Sequence, residues 1–347
     1  MDIITKLDIL YFSKFIMKNR KTIVIGLLIL VVALIGINIV FFSGLSGEVI
    51  EGSEGYDKLE KVKIGYRGHL FYLPAYVAEA RGYYEEQGLE VELVEFSSTN
   101  QLVEAVINGD IDAAVGGVNS LVPLTIESKN KGLLKIFNLG YFSKGFDHVL
   151  VRKDSDIRTL QDLEGKTLST WPGSSAMIFA NLMLEAEGLD GKVSVVQTKP
   201  SQQLNALSSG SVDAIFVLEP LSTISEEKGI SRVLVESPIT AYFMSGMYFE
   251  TSVFSSEFVN ENPETVKKIS AAVDDAIFFI NSNPNEAKTY YSEFTSVEDS
   301  LEGKLPITTY RTSSSMNVEE FQRLADKLEK EGFLGKKVVV DSMFYGN

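Results

Sequence analysis

Cysteine is absent from this 347-residue chain. Disulfides, thiolate nucleophiles, iron–sulfur clusters and Cys-based zinc sites are therefore excluded together. The lipid-modified N-terminal cysteine that anchors many surface receptors is excluded with them. Histidine occurs only twice, at His69 and His148, which rules out a His-rich metal site and leaves two candidate bases for a Ser-His-Asp triad. No Gly-x-Ser-x-Gly, P-loop or metal-ligand run occurs. Positive charge is also short: the formal net charge is -15, and such a chain repels phosphate backbones, so no nucleic-acid partner is expected. With 45% hydrophobic and 23% charged residues, the composition is that of a globular protein, not a disordered one. These absences predict no cofactor, no metal and no catalysis.

What the chain does have begins with a long apolar run. Residues 22–42, TIVIGLLILVVALIGINIVFF, carry no charge, and about twenty such residues cross a hydrocarbon core as a helix. Lys14, Lys18, Arg20 and Lys21 precede the run, and the first charge after it is Glu48. Positive charge stays on the cytoplasmic side, so residues 1–21 are expected inside the cell and the rest outside. A cleaved secretory signal is the alternative. Signal cores run roughly 7–15 residues and end at a small-x-small site; this run is longer and no Ala-x-Ala follows. Residues 43–61, rich in Gly, Ser and Glu, read as a flexible tether with a reach of roughly 20–25 Å.

From Val62 onward strand and helix signals alternate, which predicts parallel sheet with covering helices. Strands are expected at 62–66, 89–94 and 111–115, with helices over 73–84 and 100–108. About a hundred residues later the order repeats. NGDIDAAV (108–115) matches SGSVDAIFV (209–217), and Gly88 and Gly188 precede the two patterns at nearly equal distance. Two matches in register predict two lobes of similar construction. Two lobes imply a cleft, and ligands in open α/β sheets sit beyond the carboxyl ends of strands. The C-terminal third is more helical. One helix is expected from Asn262-Pro263 with a stripe of Val266, Ile269, Val273, Ile277 and Ile280, and another from Asn317 carrying Phe321, Leu324 and Leu328.

The run VKIGYRGHLFYLPAYVAEARGYYEEQGLEV (62–91) resembles the opening of the nitrate/sulfonate/taurine and thiamine-precursor binding proteins. NGDIDAAVGG, DLEGKTLST (162–170), the second Asp-Ala strand ending in Glu219-Pro220, and Asn-Pro-Glu at 262–264 follow in that family's order. The resemblance covers roughly 62–283. It implies an α/β fold of the two-lobed type II periplasmic-binding-protein kind, with a ligand cleft between the lobes, preceded here by one transmembrane helix. It further implies a first lobe of 62–142 plus 246–347 and a second of 143–245. The function implied is that of the extracytoplasmic receptor of an ABC importer. Such a receptor closes on a small-molecule ligand and delivers it to permease and ATPase subunits. The pyrimidine-synthase branch of the family carries a cysteine cluster that this chain lacks. An enzyme of the same fold and a ligand-binding sensor ectodomain are the alternative readings.

Candidate ligand contacts lie just after strands. His69, Phe71 and Tyr72 occupy the loop that lines the pocket in the family. Gly116-Gly117-Val118-Asn119-Ser120 offers backbone N–H groups at a strand-to-helix junction, although Asn119 or Ser120 equally reads as a helix cap. Trp171-Pro172-Gly173-Ser174-Ser175 repeats that logic in the second lobe, with Trp171 a flat stacking surface or a core seal. Glu219 follows a buried strand and could accept hydrogen bonds from an amine or aminopyrimidine, or cap local backbone. Tyr141, Tyr242 and Tyr248 lie near the expected crossovers, where cleft lining and hinge packing compete. The helix N-termini favour an anion such as a sulfonate; Glu219 and the aromatics favour an aromatic vitamin precursor.

Overall fold

The computed structural model describes residues 59–142 and 144–346. The cytoplasmic segment (1–21), the apolar anchor (22–42) and nearly all of the tether expected from the sequence lie outside these residues. Among the described residues no helix is long and apolar enough to cross a membrane. The tether ends earlier than expected. Glu60 and Lys61 already belong to the first strand, where Lys61 opposes Glu90 and their side chains meet at 3.0 Å.

Eleven strands form two sheets among the described residues. The first contains β1 (Glu60–Tyr66), β2 (Leu89–Glu95), β3 (Ala113–Asn119), β4 (Leu134–Phe142), β10 (Met247–Ser255) and β11 (Thr309–Arg311), in the order β11-β4-β10-β3-β1-β2. The second contains β5 (Asp147–Arg152), β6 (Thr167–Thr170), β7 (Ser194–Gln197), β8 (Ala214–Leu218) and β9 (Ser231–Glu236), in the order β7-β6-β8-β5-β9. Apart from the added edge strand β11, the two orders are the same. In each sheet one strand arrives from the other lobe, β10 in the first and β5 in the second, and runs antiparallel to both its neighbours. The chain therefore crosses between lobes twice, after β4 and after β9.

The repeated Gly-x-x-Asp-Ala has the same physical job in each lobe. Gly109 and Gly210 take left-handed conformations, with φ of 74° and 73°, at the ends of the preceding helices. Three residues on, the carboxylate reaches sideways to the neighbouring parallel strand, β1 in the first sheet and β6 in the second. Asp112 Oδ2 accepts the Lys63 N–H at 2.7 Å, and Asp213 Oδ2 accepts the Thr167 N–H at 2.9 Å. The same acids donate their own N–H to the Lys63 and Thr167 carbonyls, both at 3.0 Å. Each Asp thus closes the edge of a parallel pair and fixes its register.

The helices cover these sheets as their apolar spacing requires. Thr99–Asn108 is capped by Ser98 Oγ and buries Leu102, Val103 and Val106. Pro263–Ser282 buries Val266, Ile269, Val273, Ile277 and Ile280 along one stripe. The last helix, Val318–Lys330, is capped by Asn317 Oδ1 on the Glu320 N–H at 3.1 Å. The helix expected over 73–84 stops at Ala80, and Gly82 at φ 72° turns the chain into a separate turn over Tyr83–Glu86.

Candidate functional site

The carboxyl ends of β1, β3 and β4, with the start of β10, share one edge of the first sheet; those of β6, β8 and β9, with the start of β5, share one edge of the second. The crossovers join these two edges, so the residues just beyond these strands face the region between the lobes.

At the hinge an aromatic seam closes the lobes on each other. Phe71 packs on Phe142, Phe146 and Phe249 at centroid distances of 6.1, 5.4 and 6.3 Å. Phe142 lies 4.7 Å from Phe249, and Phe179 of the second lobe lies 6.2 Å from it. All five rings are buried. Phe71 is thus hinge packing in this structure. Phe146 and Phe249 are equivalent. The Phe146 carbonyl accepts the N–H of Glu219, just beyond β8, and the Phe249 carbonyl accepts that of Ser120, just beyond β3, both at 2.8 Å.

A second bridge lies on the surface. Lys304 Nζ, in the Asp299–Lys304 turn, meets Glu227 Oε1 of the Leu221–Glu227 helix at 2.6 Å. Both side chains are largely exposed, so the pair contributes at most about 1 kcal/mol.

Beyond β1, His69 stacks on Phe71 at 5.0 Å with an interplanar angle of 23°. Its Nδ1 is enclosed without a partner, and burial, helped by the neighbouring Arg67 guanidinium, lowers the imidazole to about 3. His69 is therefore neutral. Tyr72 is buried, its hydroxyl lies beside the Thr99 side chain without a well-aligned hydrogen bond, and burial raises its pKa. Tyr76 anchors this loop by donating to the Arg67 carbonyl at 2.5 Å and accepting the His69 N–H at 3.0 Å.

Arg67 was missed in the sequence reading. Its Nη1 donates to Thr99 Oγ1 at 3.3 Å and its Nε is buried without a partner. Among the described residues no carboxylate pairs with it. A basic residue directly after a strand, beside His69 and Tyr72, was the available signal.

The Gly116-Gly117 junction departs from expectation. Both glycines lie inside β3, not after it, and the Gly116 N–H is already used by Ser252 Oγ at 2.6 Å. The pairing of β10 with β3 shifts register across them. The glycines are there for space: a Cβ on Gly117 would come within 2.7 Å of Phe71 and of Tyr72. They let the Leu70–Tyr72 turn lie on the sheet. Asn119 Oδ1 accepts the Leu121 N–H at 2.9 Å and so caps the Leu121–Lys129 helix. Ser120 is fully buried with its Oγ unpartnered.

In the second lobe Trp171 is half-buried and meets Phe216 edge-on at 5.1 Å and 75°. Gly173, at φ 128°, leads into the helix Ser174–Ala186, whose N-terminus has no side-chain cap; Ser175 lies in its first turn. Thr170 is buried with its Oγ1 unpartnered.

Glu219 is buried and caps the Leu221–Glu227 helix, Oε2 accepting the Thr223 N–H at 3.1 Å; its peptide bond to Pro220 is cis. Its Oε1 lies 3.7 Å from His148 Nδ1, beyond hydrogen-bond reach. Burial raises Glu219 to about 7 and lowers His148, so both lean towards their neutral forms and do not make an ion pair.

The crossover tyrosines separate. Tyr141 packs edge-on against buried Tyr248 at 5.7 Å, at the cleft end of the first sheet. Tyr242 donates to Glu187 Oε1 at 2.7 Å. Glu187 ends the helix that starts beside Trp171, so the Tyr242 hydroxyl sits about 20 Å of helix from that residue. It is not gathered with the others.

Two sheets of like topology, two crossovers and facing strand ends define a two-lobed periplasmic-binding-protein fold. The family model described as "NMT1/THI5 like" matches residues 71–287, and the chain belongs to that family. It is 25% identical over 316 residues to a candidate aliphatic sulfonates-binding protein of Bacillus subtilis (strain 168), covering 86% of this chain and 92% of that one. It is 20% identical over 234 residues to the Saccharomyces cerevisiae (strain ATCC 204508 / S288c) 4-amino-5-hydroxymethyl-2-methylpyrimidine phosphate synthase THI13, covering 65% and 67%. Among solved structures, the periplasmic aliphatic sulphonate binding protein SsuA of Escherichia coli superposes with a TM-score of 0.66 at 20% identity, covering 83% of this chain and 98% of that one.

Proposed function

We propose that this protein is the extracytoplasmic solute receptor of an ABC importer, held at the membrane by residues 22–42, and that its ligand is a small sulfonate-like organic anion. The observation that carries the ligand class is Arg67, a guanidinium without a carboxylate partner among the described residues, placed beyond β1 beside two enclosed, unpartnered groups, His69 Nδ1 and Tyr72 OH. A guanidinium can donate to two oxygens of a sulfonate or carboxylate at once, and charge-assisted hydrogen bonds are the strong ones. Glu219 does not oppose this. Its carboxyl is occupied by capping, and burial raises its pKa to about 7, so it presents less than a full negative charge. Trp171 supplies an apolar face for the organic part.

The sulfonate-binding relatives support the solute class, and the apolar run with its basic flank supports the anchor. The lobes capture solute by hinge motion at the two crossovers. Permease and ATPase subunits receive it, and the receptor does no chemistry. Calorimetric titration with taurine, alkanesulfonates, nitrate, aminopyrimidine and thiamine tests the reading. A sulfonate that binds the wild type and is lost in Arg67→Ala supports it. Binding of an aminopyrimidine that is indifferent to Arg67 sinks the anion assignment.

A further inference from the structure

Asp147 and Glu250 hold corresponding positions in the two lobes. Each directly follows one of the equivalent residues Phe146 and Phe249; Asp147 opens β5, and Glu250 is the fourth residue of β10. Asp147 pairs with Leu218, the last residue of β8, and Glu250 with Asn119, the last residue of β3. Both acids are buried, and each uses one carboxyl oxygen while the other stands without a partner. Asp147 Oδ2 accepts the Ile239 N–H at 2.7 Å and Oδ1 is free. Glu250 Oε1 accepts from Thr308 Oγ1 at 2.9 Å and Oε2 is free.

These bonds tie moving parts together. Ile239 belongs to the second crossover, so Asp147 links the end of the first crossover to the second. The Gly145 N–H on Ser237 Oγ and the Ser237 N–H on the Asp147 carbonyl, both at 2.7 Å, complete that link. Glu250 lies in the first half of β10, the strand that follows the second crossover, and holds Thr308. Nearby, Tyr310 donates to the Phe71 carbonyl at 3.3 Å, which reaches the candidate ligand loop.

We propose that Asp147 and Glu250 are a matched pair of hinge carboxyl groups that hold protons in the closed protein, so that closure of the cleft is proton-linked. An ionised carboxylate with one oxygen unsatisfied in a buried site is costly, whereas a protonated carboxyl needs only modest solvation. Among the described residues no cation offsets that cost. The titratable groups around Asp147 are His148, Glu219 just beyond β8, Glu236 at the end of β9, and Lys144 in the crossover; none of them contributes to its shift, in which burial raises it to about 7 against the lowering by the Ile239 N–H. Around Glu250 stand Tyr72, Tyr291 and Tyr310, all neutral; burial raises it to about 8, against the lowering by the Thr308 and Tyr310 hydroxyls. Motion at the crossovers displaces Ile239 from β5 and loosens the packing at the start of β10. Water then reaches the acids and favours their ionised forms. Rising pH therefore favours the open protein. This inference rests on the hinge-closing part of the function above and not on which solute is bound.

The absence of cysteine allows a ligand-free test. Spin labels at Lys129→Cys in the first lobe and Lys228→Cys in the second, on the purified full chain, report the distance between lobes by pulsed dipolar spectroscopy. The short-distance population is expected to fall at least about threefold, relative to the long, between pH 6 and pH 9. It is expected to stay constant in Asp147→Asn/Glu250→Gln, whose amides mimic the protonated pair. Should the double variant not fold, each single variant is expected to remove part of the dependence. The proposal is overturned by a wild type whose distances ignore pH, by a dependence that survives both substitutions, or by one that disappears in Glu219→Gln instead.

Discussion

Arg67 and Trp171 occupy the same place in the two lobes. Each is the first residue beyond one of the equivalent strands β1 and β6. The carbonyl just before each accepts an N–H from the residue that follows the neighbouring strand: Tyr66 O from Phe96 at 2.9 Å, and Thr170 O from Thr198 at 2.8 Å. One lobe thus presents a cation and the other an indole from matching positions. Arg67→Ala is expected to weaken binding of an organic anion by about 10- to 100-fold, equivalent to about 1.5–3 kcal/mol for a charge-assisted bond. Trp171→Ala is expected to weaken long-chain sulfonates more than taurine. Calorimetry on both variants with ligands of graded chain length checks the division of labour.

Asp213 should matter for folding and not for ligand. Its carboxylate accepts the Thr167 N–H at a site where water has limited access. Asp213→Ala leaves that N–H unsatisfied and is expected to cost about 1–3 kcal/mol. Asp112→Ala should cost less in the first lobe, because the Lys63 N–H is exposed and water can replace the lost acceptor. Urea denaturation measures both; equal affinities with lowered midpoints are the expected result.

Gly117→Ala tests the packing of the ligand loop. The added methyl would meet Phe71 and Tyr72 at 2.7 Å. Overpacking of this kind costs about 1–3 kcal/mol. Because the Leu70–Tyr72 turn would be lifted, ligand affinity should fall with stability. Thermal melting and calorimetry on the same sample distinguish this from Asp213→Ala.

Two buried groups fix the sign of pH effects on stability. His69 is lowered from 6.5 to about 3, so unfolding takes up a proton across that window and stability declines as pH falls below about 6.5. Glu250 is raised from 4.5 to about 8, so unfolding releases a proton between those values and stability declines as pH rises through them. Glu250→Gln should therefore raise the melting temperature relative to wild type at pH 8 more than at pH 5. Scanning calorimetry at the two pH values checks it.

The sheet architecture was legible because the Gly-x-x-Asp-Ala repeat encodes two local events in few residues: a left-handed helix end and an acceptor for the adjacent strand. The buried stripes of the C-terminal helices were legible for the same reason, since their spacing is local. Other features depend on partners far along the chain. Gly116-Gly117 reads as a strand-to-helix junction, yet Ser252, Phe71 and Tyr72 make it an irregular stretch of strand. Glu219 reads as a ligand acceptor or a cap on local backbone, and only the Thr223 N–H, which lies on its carboxylate, decides for the cap. The equivalence of Phe146-Asp147 and Phe249-Glu250 went unread because a whole lobe separates them and the acids differ in length. Only the sheet pairing reveals that they correspond. Tyr242 lies near a crossover in sequence, but the turn over Ile239–Phe243 directs its hydroxyl along a helix to Glu187.

The most direct test of the solute-receptor account uses the single tryptophan. Trp171 fluorescence of the full chain is followed while sulfonates, nitrate, aminopyrimidine and thiamine are added, with parallel calorimetry. The account predicts a saturable change with a sulfonate at micromolar concentration, absent in Arg67→Ala. A protein that answers none of these solutes by either method, or one that converts a solute to product, would contradict it.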